Sequence, residues 1–292
     1  MTLDVTKLRS MYLMAGSFYI ASFLGCGSGS NQSAPPATAP NTTTPYQMLI
    51  GESVVTYMQA NSPSALPLLN GTKPWIILDS GDSPYPGQFA PAAWNAQYMI
   101  RFASFATMAS QFASNSIPGY VTWIMYDNEP NASPTTPANE LANPPLYYQM
   151  AAALVHGAGL KFFATAGLSG TTSQNDAMHS QAALYDAYDI QSQTGESTVA
   201  AFDASIKSSA DMFLMYNPSL IIAAGYGDYA NQQLLTPAQI DPFLASFPSN
   251  VAAWANFGPH TPTGAPSIPA EYGYFVQTLE DSLTETPVAP LN

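Results

Sequence analysis

Positive charge is what this chain has least of. Six Lys and Arg stand against 19 Asp and Glu in 292 residues, for a formal charge of -13. Neutralising phosphates takes clustered Lys and Arg, so nucleic acid and other polyanions are excluded as partners. Charge of either sign is scarce. Charged residues make up 9% of the chain, against roughly a quarter in an average protein. The surface must be covered mostly by Ser, Thr, Asn, Gln, Ala, Pro and Tyr, which suits neutral, hydroxyl-rich ligands. Such a surface loses little when carboxylates protonate, so function in acid is expected.

Other absences remove whole chemistries. There is one cysteine, so no internal disulfide. His156, His179 and His260 are scattered, without the His-x-x-x-His spacing of a zinc site. No twelve-residue calcium loop occurs. No Gly-x-Ser-x-Gly elbow marks a serine hydrolase, and Gly167-Leu-Ser169-Gly170 has the wrong spacing. No glycine-rich phosphate loop follows the first strand candidate. No metal or cofactor is expected.

What is present begins with an amino-terminal export pattern. Lys7 and Arg9 precede a short apolar run, Ser10 to Leu24, that is too short to span a membrane. It ends at Phe23-Leu24-Gly25-Cys26, which resembles the bacterial lipoprotein signal with Phe in place of the usual Leu. The resemblance implies lipidation at Cys26 and attachment to the cell envelope; the alternative is a plain secretory signal. Residues 27–45, rich in Gly, Ser, Pro and Thr, read as a linker. A single folded domain is expected over 46–292.

At 47% hydrophobic the chain can bury a sizeable core. Seven strand candidates are Gln47–Glu52, Trp75–Gly81, Val121–Glu129, Lys161–Gly167, Tyr185–Gln193, Leu220–Gly227 and Asn250–Gly258. Most are continuous apolar runs, as in strands buried on both faces. Helical patterns lie between several of them. Pro91 to Ser114 carries Trp94, Tyr98, Phe102, Phe105 and Met108 at three- and four-residue spacing. Pro144–His156 and Thr198–Tyr216 are further helices, Thr236-Pro-Ala-Gln239 opens another with a capping box, and Ala270–Leu283 is the last. Alternating strand and helix implies a parallel sheet and a (β/α)8 TIM barrel. The eighth strand would be hidden between Val54 and Leu69, or the barrel would be incomplete. A doubly wound sheet is the alternative.

The stretch Val-Thr-Trp-Ile-Met-Tyr-Asp-Asn-Glu, 121–129, organises the site. Alternation along a strand puts Trp123, Met125, Asp127 and Glu129 on one face. In a parallel barrel the acids then stand at the carboxyl-end mouth, where active sites lie. The other strand ends bring Glu52, Asp79, Asp82, Asp189, Gln191, Gln193, Tyr226, Asp228, Trp254, Asn256 and His260. Amides and carboxylates bind hydroxyls, aromatic faces stack on sugar rings, and a carboxyl pair cleaves acetals. The expectation is therefore an exported glycoside hydrolase acting on a neutral polysaccharide or oligosaccharide. Glu129 would be its general acid, Asp127 would orient Glu129 or share its proton, and Asp189 would be the opposing base or nucleophile. Asp79, Gln191, Gln193, Tyr226, Asp228, Trp254 and Asn256 would bind substrate. The alternative is a non-catalytic surface protein that binds glycans or a partner. For single acids a helix cap or turn role competes, and the Trp residues at 75, 123 and 254 fit a core better than a sugar platform.

Two resemblances attach to these motifs. Trp123-Ile-Met-Tyr-Asp-Asn-Glu-Pro130, Asn143-Pro144, Ala151 to Phe162, Tyr188-Asp-Ile-Gln-Ser-Gln193 and Trp254-Ala-Asn256 resemble a group of uncharacterised secreted bacterial proteins, over most of residues 75–283. Asp127-x-Glu129 and Tyr188-Asp189 resemble strand motifs of the chitinase-like glycoside hydrolases, with Thr122 and Met125 where that family carries further acids.

Overall fold

The computed structural model describes residues 47–79, 95–129, 136–165, 172–191, 198–225, 229–230, 233–234, 251–256 and 277. Cys26, Asp82, Gln193, Tyr226, Asp228, His260, the 27–45 linker and the Thr236 capping box lie outside them, as does the Ala270–Leu283 helix apart from Gln277. The chain divides into two units, Met1–Ala39 and Pro40–Asn292, and the second holds every described residue.

Eight parallel strands close into a barrel. They are β1 (Gln47–Gly51), β2 (Trp75–Asp79), β3 (Gln97–Phe102), β4 (Val121–Asp127), β5 (Lys161–Thr165), β6 (Ala187–Gln191), β7 (Ile221–Gly225) and β10 (Ala253–Asn256), with β10 pairing back onto β1. Between β7 and β10 a short antiparallel ribbon pairs β8 (Tyr229–Ala230) with β9 (Gln233–Leu234). The helices are α1 (Glu52–Asn61), α2 (Leu66–Gly71), α3 (Phe105–Ala113), α4 (Ala138–Leu141), α5 (Pro144–Gly157), α6 (Thr172–Ser180) and α7 (Val199–Tyr216), with a 3-10 turn at Ala182–Leu184. No helix among the described residues is long and apolar enough to cross a membrane.

The barrel fold matches the sequence expectation, but the eighth strand is not where it was sought. Val54 to Leu69 is helical, in α1 and α2. The missing strand is β3, inside the segment expected to be a helix from Pro91 to Ser114. Tyr98, Phe102, Phe105 and Met108 mimic helical spacing because a strand and a helix abut there. Tyr98, Ile100 and Phe102 share one face of β3 by two-residue alternation. Phe105 and Met108 belong to α3, which starts afresh where Ser104 Oγ accepts from Thr107 N at 3.4 Å.

Alternation sorts the strand side chains into two layers. Leu49, Trp75, Ile77, Met99, Trp123, Met125, Phe163, Ala187 and Ala223, all from strands, form an inner cluster that fills the barrel. Trp75 stacks edge-on against Trp123 and Phe163, with centroids 5.2 and 5.4 Å apart. The Trp123 indole N–H donates to Gln97 Oε1 at 2.6 Å. Trp75 and Trp123 are thus core residues. The intervening strand residues, among them Ile50, Ile76, Ile100, Ile124, Phe162, Tyr188 and Ile222, pack outward against helix residues such as Val54, Met108, Val155, Phe202 and Phe213. With both layers apolar, polar inward residues are confined to the barrel ends.

Candidate active site

Asp127 is the last residue of β4, and Glu129 follows the strand by two residues. The inward face that carries Trp123 and Met125 continues into both acids. Asp127 pairs in register with Thr165 at the end of β5, and Thr165 pairs with Asp189 on β6. Arg101 lies on β3, in register with Met125 one step below. Four neighbouring strands therefore deliver their inward polar groups to one end of the barrel.

The groups are linked in sequence. Arg101 Nη1 donates to Asp127 Oδ2 at 2.8 Å. The Asp127 and Glu129 carboxyls hydrogen-bond each other. Gln191 hydrogen-bonds Glu129, and its Nε2 donates to Thr165 Oγ1 at 3.0 Å. Thr165 Oγ1 donates to Asp189 Oδ2 at 3.3 Å. The chain runs Arg101, Asp127, Glu129, Gln191, Thr165, Asp189. Two carboxyls that hydrogen-bond each other must share a proton, since an ionised carboxylate only accepts. Asp127 Oδ1 and Glu129 Oε1 meet no hydrogen-bonding group among the described residues.

Burial and like charge set the protonation. The Asp127 carboxyl is pushed up to about 7, first by burial and then by the Glu129 charge, both outweighing Arg101. Glu129 is raised by burial, against the opposing pull of Gln191, Arg101 and the Asp127 hydrogen bond. In this pair Asp127 holds the proton and Glu129 accepts it. Asp189, with no exposed surface, is held well above the usual carboxylate range by burial, against the Thr165 hydroxyl and with help from Asp127 and Glu129. Three carboxyls raised towards their neutral forms beside one guanidinium reduce the charge that the site must bury. Glu129 is the half-buried member, and Asp127 and Asp189 lie beneath it. Among the described residues no three His, Cys, Asp or Glu side chains are set to hold a metal ion.

The structure joins Asp127, Glu129, Asp189 and Gln191, four of the expected site residues. Glu52 directly follows the last residue of β1 and opens α1. The backbones of Asp79, Trp254 and Asn256 end β2 or lie in β10, while their side chains lie outside the description. Trp254 pairs in register with Met48 and Ala224, both members of the outer layer. Arg101 and Thr165 were missed. Arg101 had a readable signal, being one of six Lys and Arg and set in the apolar run Tyr-Met-Ile-Arg-Phe. Thr165 had none.

No family model and no curated protein matches the chain. Similar solved structures include 3-keto-L-gulonate-6-phosphate decarboxylase from Vibrio cholerae, at 9% identity and TM-score 0.43, covering 84% of this chain and 99% of that one. Hydroxymethylglutaryl-CoA lyase from Pseudomonas aeruginosa aligns at 10% identity and TM-score 0.46, over 84% and 91%. The YdjI aldolase from Escherichia coli aligns at 8% identity and TM-score 0.44, over 82% and 89%.

The glycoside-hydrolase expectation is corrected. The finding that overturns it is the placement of the expected opposing carboxyl. Asp189, expected as the opposing base or nucleophile, is fully buried with its carboxyl on the Thr165 hydroxyl.

Proposed function

We propose that the barrel mouth is a general acid–base site that moves a proton on a small carbonyl compound. The observation that carries this reading is the proton shared by Asp127 and Glu129 beside Arg101, with Asp127 titrating near neutrality. A base works best when its proton affinity is close to the ambient pH. Glu129 is the reachable member and acts as the base. It takes a proton from the carbon next to the carbonyl, and the electron pair of that C–H bond moves onto the carbonyl oxygen. Arg101 supplies a fixed positive charge beside the negative charge that builds there. Asp127 passes its shared proton along the pair, so Glu129 can return a proton without waiting for bulk water. Asp189 stays neutral and keeps Thr165 and Gln191 aimed at Glu129.

The test is solvent-deuterium exchange into the α-position of a panel of small keto and hydroxy-keto compounds, followed by NMR. Exchange by the wild type that Glu129→Gln abolishes while remaining folded supports the reading. Exchange that survives in Glu129→Gln contradicts it. We also propose, on the sequence alone, export and a lipid anchor at Cys26. Fatty-acid labelling that persists in Cys26→Ser would contradict it.

A further inference from the structure

Opposite the acids, β4 carries Tyr126 and is followed by Asn128, and both are tied to Glu140: Tyr126 through its buried carboxylate, Asn128 through its main-chain carbonyl and the Tyr126 hydroxyl. Glu140, on α4, is 2% exposed and is surrounded by donors. Its Oε2 accepts from the Tyr126 hydroxyl at 2.5 Å and from Phe105 N at 2.8 Å. Its Oε1 accepts from Ser104 Oγ at 3.2 Å, and its main-chain carbonyl from Asn128 Nδ2 at 3.1 Å. Asn128 Nδ2 also donates to the Tyr126 hydroxyl at 3.1 Å. The main chain at the strand end is held as well. Asn128 N donates to the Tyr148 hydroxyl at 3.2 Å, and that hydroxyl lies against the carbonyls of Tyr126 and Thr165. Glu129 N donates to Thr136 Oγ1 at 3.1 Å.

Every residue between Tyr126 and Glu129 is therefore pinned on alternate sides. Tyr126 and Asn128 are fixed outward by Glu140, and Asp127 and Glu129 are set inward. The charge on Glu140 is met by the first N–H of α3, so the same carboxylate fastens that helix to the strand end. A buried network of this kind, paired at each of these side-chain atoms except Asn128 Oδ1, favours one geometry.

We infer that Glu140 is a positioning residue, holding Asn128 and Tyr126 so that Glu129 meets Asp127 in the mouth. This rests on the reading of the mouth as an acid–base site, but its test does not need a substrate. Carboxyl ¹³C chemical shifts report the titration of the Asp127–Glu129 pair, assigned with Asp127→Asn. Losing the anchor lets Glu129 drift and removes its charge from Asp127, so the midpoint falls.

In Asn128→Ala and Glu140→Ala the midpoint is expected to drop by about one unit or more. Glu140→Gln, whose amide oxygen can still accept from Tyr126 and Phe105, is expected to keep the wild-type midpoint. If Glu140→Ala does not fold, Asn128→Ala carries the comparison alone. A folded Asn128→Ala protein with the wild-type midpoint overturns the inference. If the midpoint falls as expected and no carbonyl compound exchanges, the positioning role stands and the proposed reaction fails.

Discussion

Arg101 and Asp127 meet across the β3–β4 seam, Nη1 to Oδ2 at 2.8 Å, with side chains 19% and 4% exposed. Asp127 nonetheless titrates near 7, because burial and the Glu129 charge outweigh the guanidinium. Breaking such a pair leaves an uncompensated charge. Arg101→Leu is expected to cost roughly 3–5 kcal/mol at pH 8, where Asp127 is ionised. The loss should shrink at pH 5, where Asp127 is protonated. Urea unfolding at the two pH values measures it, and an equal loss at both would mean that Arg101 acts by packing alone.

Stability should fall as pH rises through the neutral range. Asp127 has a folded value near 7 against an ordinary 3.8. Between those values the folded protein holds a proton that the unfolded chain releases, so the stabilising contribution is present in mild acid and is lost as pH rises towards 7. At about 1.36 kcal/mol per unit the full shift is worth at most about 4 kcal/mol. Glu129 and Asp189, also raised, act in the same direction. His179, lowered by burial, opposes them below its ordinary 6.5. Thermal unfolding is expected at higher temperature at pH 5 than at pH 8, with the difference reduced in Asp127→Asn.

Thr165 bridges Gln191 to Asp189 through one hydroxyl. Thr165→Val keeps the shape and removes both bonds, taking from Asp189 its Thr165 donor and from Gln191 its Thr165 acceptor. A loss of about 1–3 kcal/mol is expected in chemical denaturation. Deuterium exchange into substrate should slow as well, since Gln191 is no longer aimed at Glu129. Wild-type values for both would remove Thr165 from the site.

At the opposite end of the barrel, Gln97 accepts the buried Trp123 indole N–H. Gln97→Leu orphans that donor and should cost about 1–3 kcal/mol, without changing the exchange rate. Amide hydrogen exchange should also show Met99 and Ile100 protected as strongly as Ile124 and Met125, because β3 is paired on both sides.

The sequence disclosed the acids more readily than the partners that tune them. Asp127 and Glu129 could be placed on one face because β4 is a single apolar run with a two-residue period. Asp189 and Gln191 followed from the same alternation on β6. β3 was missed because the strand-face residues Tyr98 and Phe102 fall four apart and run directly into α3, so two short elements imitate one long helix. Losing β3 hid Arg101, and with it the reason the acids tolerate burial. Glu140 was illegible for another reason. Nothing in a short helix following a loop shows that its carboxylate reaches back to Tyr126, Phe105 and Ser104. The glycosidase expectation failed at that level too, since alternation along β6 placed Asp189 but did not show that it is fully buried on Thr165.

The central claim is that Asp127 and Glu129 share one proton at neutral pH. A ¹³C carboxyl titration of the wild type beside Asp127→Asn and Glu129→Gln tests it most directly. The account predicts one carboxyl titrating near 7 in the wild type. That transition should disappear in Asp127→Asn and move to lower pH in Glu129→Gln. Two carboxyls both ionised by pH 5, unaffected by either substitution, would contradict it.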